Sequence, residues 1–149
     1  MNVRIVVADE RKALFFDSTR PSDCRARGSI ANPAAGLKDI DLETDRPGSR
    51  KGGGINGGAM HHGVNGERST ERHELAMFAK EVGHRIDADR IGHKFDKLVL
   101  VAPPKMLGLI RQSLHSQTQS LLASEIPKDL AQHAPAAIMN AIPKDTFWQ

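Results

Sequence analysis

The alternation of apolar and polar positions predicts a strand at the start of the chain. Val3, Ile5 and Val7 fall on one side of residues 2–8, while Val6 and Ala8 add apolar character to the other, so this strand is expected to be covered on both faces. Arg4 interrupts the run. A tight turn at Asp9-Glu10 leads into a second strand over Lys12-Ala13-Leu14-Phe15-Phe16. Cys24, Ala26, Gly28 and Ile30 then alternate with Arg25, Arg27 and Ser29, the pattern of an edge strand that is apolar inward and basic outward.

From Leu37 to Gly66 the pattern collapses: these residues hold 8 of the 13 glycines and few apolar side chains, and a long loop is expected. After it, Glu67, Glu71 and Glu74 suit the start of a helix, where the dipole favours anions, and Leu75, Phe78, Ala79, Val82 and Ile86 form a stripe at helical spacing. Gly83 weakens that helix and Gly92 is the expected stop. Leu98-Val99-Leu100-Val101 reads as a central strand ended by Pro103-Pro104. Met106, Leu107, Ile110 and Leu114 predict a second helix, residues 121–126 a fifth strand, and residues 135–142 a last helix. The succession β-β-β-α-β-α-β-α suits a single α/β domain over 1–149, a three-layer mixed sheet of the ribonuclease H-like type, with a flexible glycine-rich loop at 37–66. Such an order carries no chemistry by itself.

Composition narrows the class. With 39% hydrophobic and 26% charged residues in 149, the chain is neither membrane-like nor wholly disordered. Cys24 is the single cysteine, which excludes an internal disulfide and a Cys-x-x-Cys zinc site. No signal-like apolar run opens the chain and no window reaches the roughly 20 apolar residues of a membrane span, so a cytoplasmic protein without membrane insertion is expected. The net charge of +3 is mild, but its distribution is not. Residues 37–45 carry Asp39, Asp41, Glu43 and Asp45 against Lys38, whereas 46–66 carry Arg46, Arg50 and Lys51 with no acid.

That basic half suits an arm for a polyanion, since glycine lets a backbone approach closely; a solvated linker with incidental charge is the equal alternative. The segment lacks Gly-x-x-x-x-Gly-Lys-[Ser/Thr] and a strand immediately before it, which weighs against a phosphate loop. Adjacent His61 and His62 have no further ligand at metal spacing and read as a surface pair, and His73 and His84, about three helical turns apart, share a face but not an ion. No cofactor is called for. Asp9 and Asp96 are the only candidates for a pair of metal carboxylates, against their default roles at a turn and a strand end. Cys24 reads as packing, and Ser113, Ser116 and Ser120 lack a nucleophile elbow. Arg25, Arg27, Arg46, Arg50, Lys51 and Arg68 make one basic surface if the loop folds over the edge strand. Without aromatic interleaving, RNA contacts there would be to phosphate. Phe147-Trp148 is expected to dock on the body.

Several stretches resemble a known family. Val6-Val7-Ala8-Asp9 with Lys12-Ala13-Leu14-Phe15, Asp45-Arg46-Pro47-Gly48, Phe78-Ala79, Phe95 to Pro104 with Leu107-Gly108, and Ile126 to Leu130 are similar, in order, to the bacterial host attachment proteins. That family in turn resembles the archaeo-eukaryotic peptide-release-factor superfamily, whose ribonuclease H-like middle domain carries a loop ending in Gly-Gly-Gln. Here Gly57-Gly58 is followed by Ala59 and Gly53-Gly54 by Ile55, so the glutamine of that mechanism is absent. The resemblance implies a non-enzymatic ribosome- or tRNA-binding factor of the hibernation or rescue kind, with Arg25, Arg27, Arg46, Arg50, Lys51, Gly57, Gly58, His61, His62 and Arg68 as its contacts. Two alternatives stay open: a protein-interaction factor needed for attachment, and a metal-dependent nuclease or hydrolase.

Overall fold

The computed structural model describes residues 1–35 and 57–147, with side chains over 1–35 and 70–147. Five strands form one mixed sheet in the order β3-β2-β1-β4-β5. Strand β1 (Val3–Ala8) turns into β2 (Lys12–Ser18), and β2 pairs with β3 (Arg25–Ala31) at the edge, all antiparallel. The long helix α1 (Gly57–Ile91) leads to β4 (Lys97–Val101), which lies parallel to β1. Helices α2 (Pro104–Ser113) and α3 (Ser116–Gln119) then lead to β5 (Leu122–Ile126), parallel to β4. Helix α4 (Pro135–Ala141) and a 3-10 turn over Lys144–Phe147 follow.

Strand alternation divides the core in two. Val6, Ala8, Phe15, Leu98 and Leu100 meet Phe78, Ala79, Val82 and Ile86 of α1 and Met106, Leu107 and Ile110 of α2 on one face. Val3, Ile5, Val7, Phe16, Val99 and Val101 meet Ile138, Ile142 and Phe147 on the other. Burial of both faces explains why β1 and β4 read as nearly continuous apolar runs. Phe147 docks as expected, Trp148 lying outside the described residues, and the main-chain carbonyl of Thr146 accepts from Lys97 Nζ at 2.9 Å.

Three expectations need correction. The glycine spacing predicts a loop through Gly66, but α1 already runs from Gly57. An internal glycine costs about 1 kcal/mol relative to alanine, yet adding one more turn to an existing helix gains a hydrogen bond per residue without a new nucleation step. Second, α1 stops before Gly92 as expected, but the left-handed residue of the cap is the next one along. His93 takes the left-handed conformation (φ 56°), while its N–H and that of Lys94 bond back to the carbonyls of Arg90 and Asp89 at 2.9 Å. Third, β3 is at the edge but is exposed along its length except for a half-buried Ile30. The helices cover the central strands and leave this edge to water.

Gly83 has a packing reason. A Cβ there would lie 2.3 Å from Ser113 Oγ and 3.3 Å from the Ser113 carbonyl, so α1 and α2 cross too closely for a side chain. Gly83→Ala is expected to destabilise the fold by about 1–3 kcal/mol, read as a lower urea midpoint with an unchanged slope, because a well-packed crossing must part to admit a methyl group.

Candidate functional site

The β1–β2 turn sets a register in which Arg4 lies directly opposite Asp17. Both project from the sheet face that α1 covers, and Arg4 is only 2% exposed. Its Nε donates to Asp17 Oδ1 at 2.5 Å and its Nη1 donates to Asp89 Oδ2 near the end of α1. The Phe95 ring lies 5.5 Å from the guanidinium. A buried arginine is tolerated only with such partners. Burial by itself would raise the Asp17 carboxyl, but the hydrogen bond and charge of Arg4, with help from Asn2 and Arg27, outweigh it and hold Asp17 below the usual carboxylate range. Asp89 is likewise lowered, Arg4 and Arg85 overcoming its burial, and Arg4 is raised because Asp17 and Asp89 overcome its own burial.

Each buried carboxylate also holds a cation nearer the surface. Asp17 Oδ2 accepts from Arg27 Nε at 2.9 Å, and Asp89 Oδ2 accepts from Arg85 Nε at 3.1 Å. Lys94 Nζ lies 3.8 Å from Asp89 Oδ1, where the turn through His93 brings it. On β3 the ladder shifts: Phe15 pairs with Gly28 and Phe16 with Ala26, so Arg27 is the extra residue of a bulge. Gly28 sits at φ 130°, open to glycine, and a Cβ there would come within 3.6 Å of Arg85 Nη2. Arg85 therefore lies across the bulge, its Nη2 reaching the Arg27 carbonyl at 3.4 Å and its guanidinium 4.6 Å from the centre of the Phe15 ring.

Arg4, Asp17, Arg27, Arg85, Asp89 and Lys94 line a cleft of about 470 Å³ with Asn2, Thr19 and Arg25. Five cations face two carboxylates in the lining, and Arg25 is itself paired with Asp23 at 3.5 Å, which leaves a surplus of two positive charges. Both carboxylate side chains are almost wholly buried (4% and 7% exposed), while those of Arg27 and Lys94 are 49% and 64% exposed. The cleft therefore presents donors outward. A second groove, about 560 Å³, runs along α1 beside Asn32 and places His73 and His84 together, as their spacing predicts. Its charges are Lys80 against Glu74 and Glu81, so it has no such surplus.

Of the expected contacts, Arg25 and Arg27 fall in the cleft. Arg46, Arg50 and Lys51 lie outside the described residues, and the backbone of Gly57, Gly58, His61, His62 and Arg68 belongs to α1. Asp9 accepts the N–H groups of Arg11 and Lys12 as a turn residue. Asp96 sits at the other end of the sheet, where its main-chain N–H bonds the Asn2 carbonyl and its carboxylate accepts from the Asn2 N–H. At a strand rise of about 3.3 Å, the seven residues from Asn2 to Asp9 separate the two by about 20 Å, which removes the metal-carboxylate pair. Cys24 is packed against the second core, where burial and the neighbouring Asp23 push its thiol up, away from reactivity. Ser113 donates to the Ile110 and Ala79 carbonyls, a packing role.

Arg4, Asp17, Arg85, Asp89 and Lys94 carry the site but stand out in no motif. Residues 4–142 match the family described as "Protein required for attachment to host cells". The chain belongs to that family. The match covers all of the cleft lining but Asn2 and nearly all of both core faces, leaving out Val3 at the start of β1 and the last turn. An uncharacterized protein of Rickettsia prowazekii (strain Madrid E) is 43% identical over 49 residues, a third of this chain and a third of its own length. Among the described residues no helix is long and apolar enough to cross a membrane.

Proposed function

We propose that this member of the attachment family is a non-enzymatic RNA-binding factor of the cytoplasm that associates with the ribosome or with tRNA by gripping phosphates. The observation that carries the reading is the cleft beside the edge strand, where five cations face two buried carboxylates. Phosphate contacts by Arg and Lys supply most sequence-independent nucleic-acid affinity. The strand order β3-β2-β1-β4-β5, with helices on both faces, supports the ribonuclease H-like reading and with it the likeness to release-factor middle domains. Gly57 and Gly58 lack the glutamine of those factors, which favours binding over peptide release. In this reading the 1–149 chain is one domain, the basic half of the 37–66 segment, with Arg46, Arg50 and Lys51, adds a second contact, and attachment to a host follows indirectly from an effect on translation.

The family's description favours a second reading, a protein-interaction factor that acts in attachment directly. Sedimentation separates the two. The chain is expected to travel with ribosomes at low salt and to leave them as salt rises. Absence from the ribosomal fractions at low salt, with nuclease-resistant capture of one stoichiometric protein instead, would decide for the second.

A further inference from the structure

We propose that the cleft between β3 and the end of α1 seats a single phosphate monoester, the doubly charged end of an RNA chain or of a free mononucleotide. The inference rests on the RNA-binding reading and narrows it from phosphates in general to a terminal one.

The donors are arranged as a seat. Arg27 and Arg85 each spend Nε on a buried carboxylate, which fixes the plane of the guanidinium. Among the described residues nothing takes up the Nη groups of Arg27, whose side chain is half exposed. Lys94 reaches the same cleft from the turn after α1. A fork of fixed orientation beside a mobile ammonium is the arrangement that holds a phosphate, the one by paired hydrogen bonds and the other as a point charge.

Three observations favour a terminal phosphate over an internal one. The surplus of two positive charges left once Asp23 pairs with Arg25 is closer to the charge of about −1.5 to −2 on a monoester at pH 7 than to the single charge of a diester. No aromatic side chain lines the cleft, so a base finds no face to stack on and the ligand is held by its phosphate. The volume, about 470 Å³, lies within the range of small-ligand pockets, roughly 300–1,000 Å³, where a backbone-tracking groove accommodates several nucleotides.

No histidine, the residue type that ordinarily changes charge between pH 5 and 7, lines the cleft. Its ionisable lining is Arg4 from β1, Asp17 from β2, Arg25 and Arg27 from β3, Arg85 and Asp89 from α1, and Lys94, with Asp23 of the β2–β3 connection paired to Arg25. His93 is exposed beside Lys94 but outside the lining. A pH dependence in that range therefore belongs to the ligand, whose second ionisation lies near 6.

The test uses the full chain and one short RNA in three forms, bearing a 5′-phosphate, a 3′-phosphate or hydroxyls at both ends, with adenosine monophosphate as competitor. A phosphorylated end is expected to tighten binding about tenfold, the worth of a charge-assisted hydrogen bond or two. The advantage grows from pH 5 to 7, persists in His93→Asn, and is lost in Arg27→Ala and in Arg85→Ala, with Arg27→Lys restoring only part. A preference for one phosphorylated end, with no competition by the mononucleotide, assigns the seat to RNA ends; competition assigns it to both. Equal binding of all three forms overturns the terminal-phosphate seat and leaves the RNA-binding reading standing. If no form of the RNA binds, that reading fails, and calorimetric titration with adenosine monophosphate and inorganic phosphate decides the seat alone: binding lost in Arg27→Ala upholds it, and silence overturns it.

Discussion

Replacing Arg4 with methionine is expected to destabilise the protein by about 3–5 kcal/mol at pH 7, the cost of stranding buried charge. The methionine fills much of the space, but Asp17 and Asp89 each lose a hydrogen bond from a guanidinium that is 2% exposed. Arg27 and Arg85 remain on the two carboxylates from the solvent side and keep the loss from being larger. The pH dependence follows in sign from the two aspartates. Both titrate below their ordinary range in the folded protein, so the stability they contribute is present above the unfolded value of about 3.9 and fades as pH falls through their folded values. Without Arg4 that depression is largely lost, and the gap between wild type and variant narrows as pH drops from 7 towards 3. Urea unfolding at both pH values measures it. A gap under 1 kcal/mol at neutral pH, or one that stays constant to pH 3, would count against the buried network as described.

Phe15→Ala is expected to cost a similar amount, about 3–5 kcal/mol, for a different reason. Phe15 is fully buried in the core between the sheet and α1, so the truncation leaves a cavity that rigid neighbours on both layers cannot close. It also removes the ring 4.6 Å from the Arg85 guanidinium. Phe15→Leu separates the two effects. It restores most of the apolar volume, so most of the stability returns, while the cation–π contact, worth roughly 0.5–1 kcal/mol at a partly exposed site, does not. RNA affinity should then stay reduced in the leucine variant, because Arg85 has lost the surface that holds it across Gly28. Full recovery of both stability and affinity in Phe15→Leu would show that the ring does not position Arg85.

The sheet was largely legible because the signals are local. Alternation at Val3, Ile5 and Val7 and the run Leu98 to Val101 place the two central strands where they are found. Half of the site was legible too, in a form easily overlooked. A turn at residues 9–12 pairs Ala8 with Ala13, and counting outward sets Arg4 opposite Asp17. An arginine in a strand covered on both faces demands such a partner. The other half was not readable: Asp89 lies 85 residues from Arg4, and only the packing of α1 on the sheet brings them together. Arg27 reaches Asp17 through a bulge that no turn residue announces, and Lys94 reaches the cleft through a left-handed histidine where Gly92 was the better candidate. The start of α1 was missed because glycine content speaks for local propensity, which the continuation of a long helix overrides.

The central claim is that Arg27 and Arg85 meet RNA phosphate in this cleft, and the salt dependence of RNA affinity tests it most directly. Plotted as log K against log salt concentration, wild type is expected to show a steep negative slope, and the double variant Arg27→Ala/Arg85→Ala a weaker affinity with a slope shallower by about one, as for one lost phosphate contact. A double variant that folds as wild type and keeps both the affinity and the slope would contradict the account.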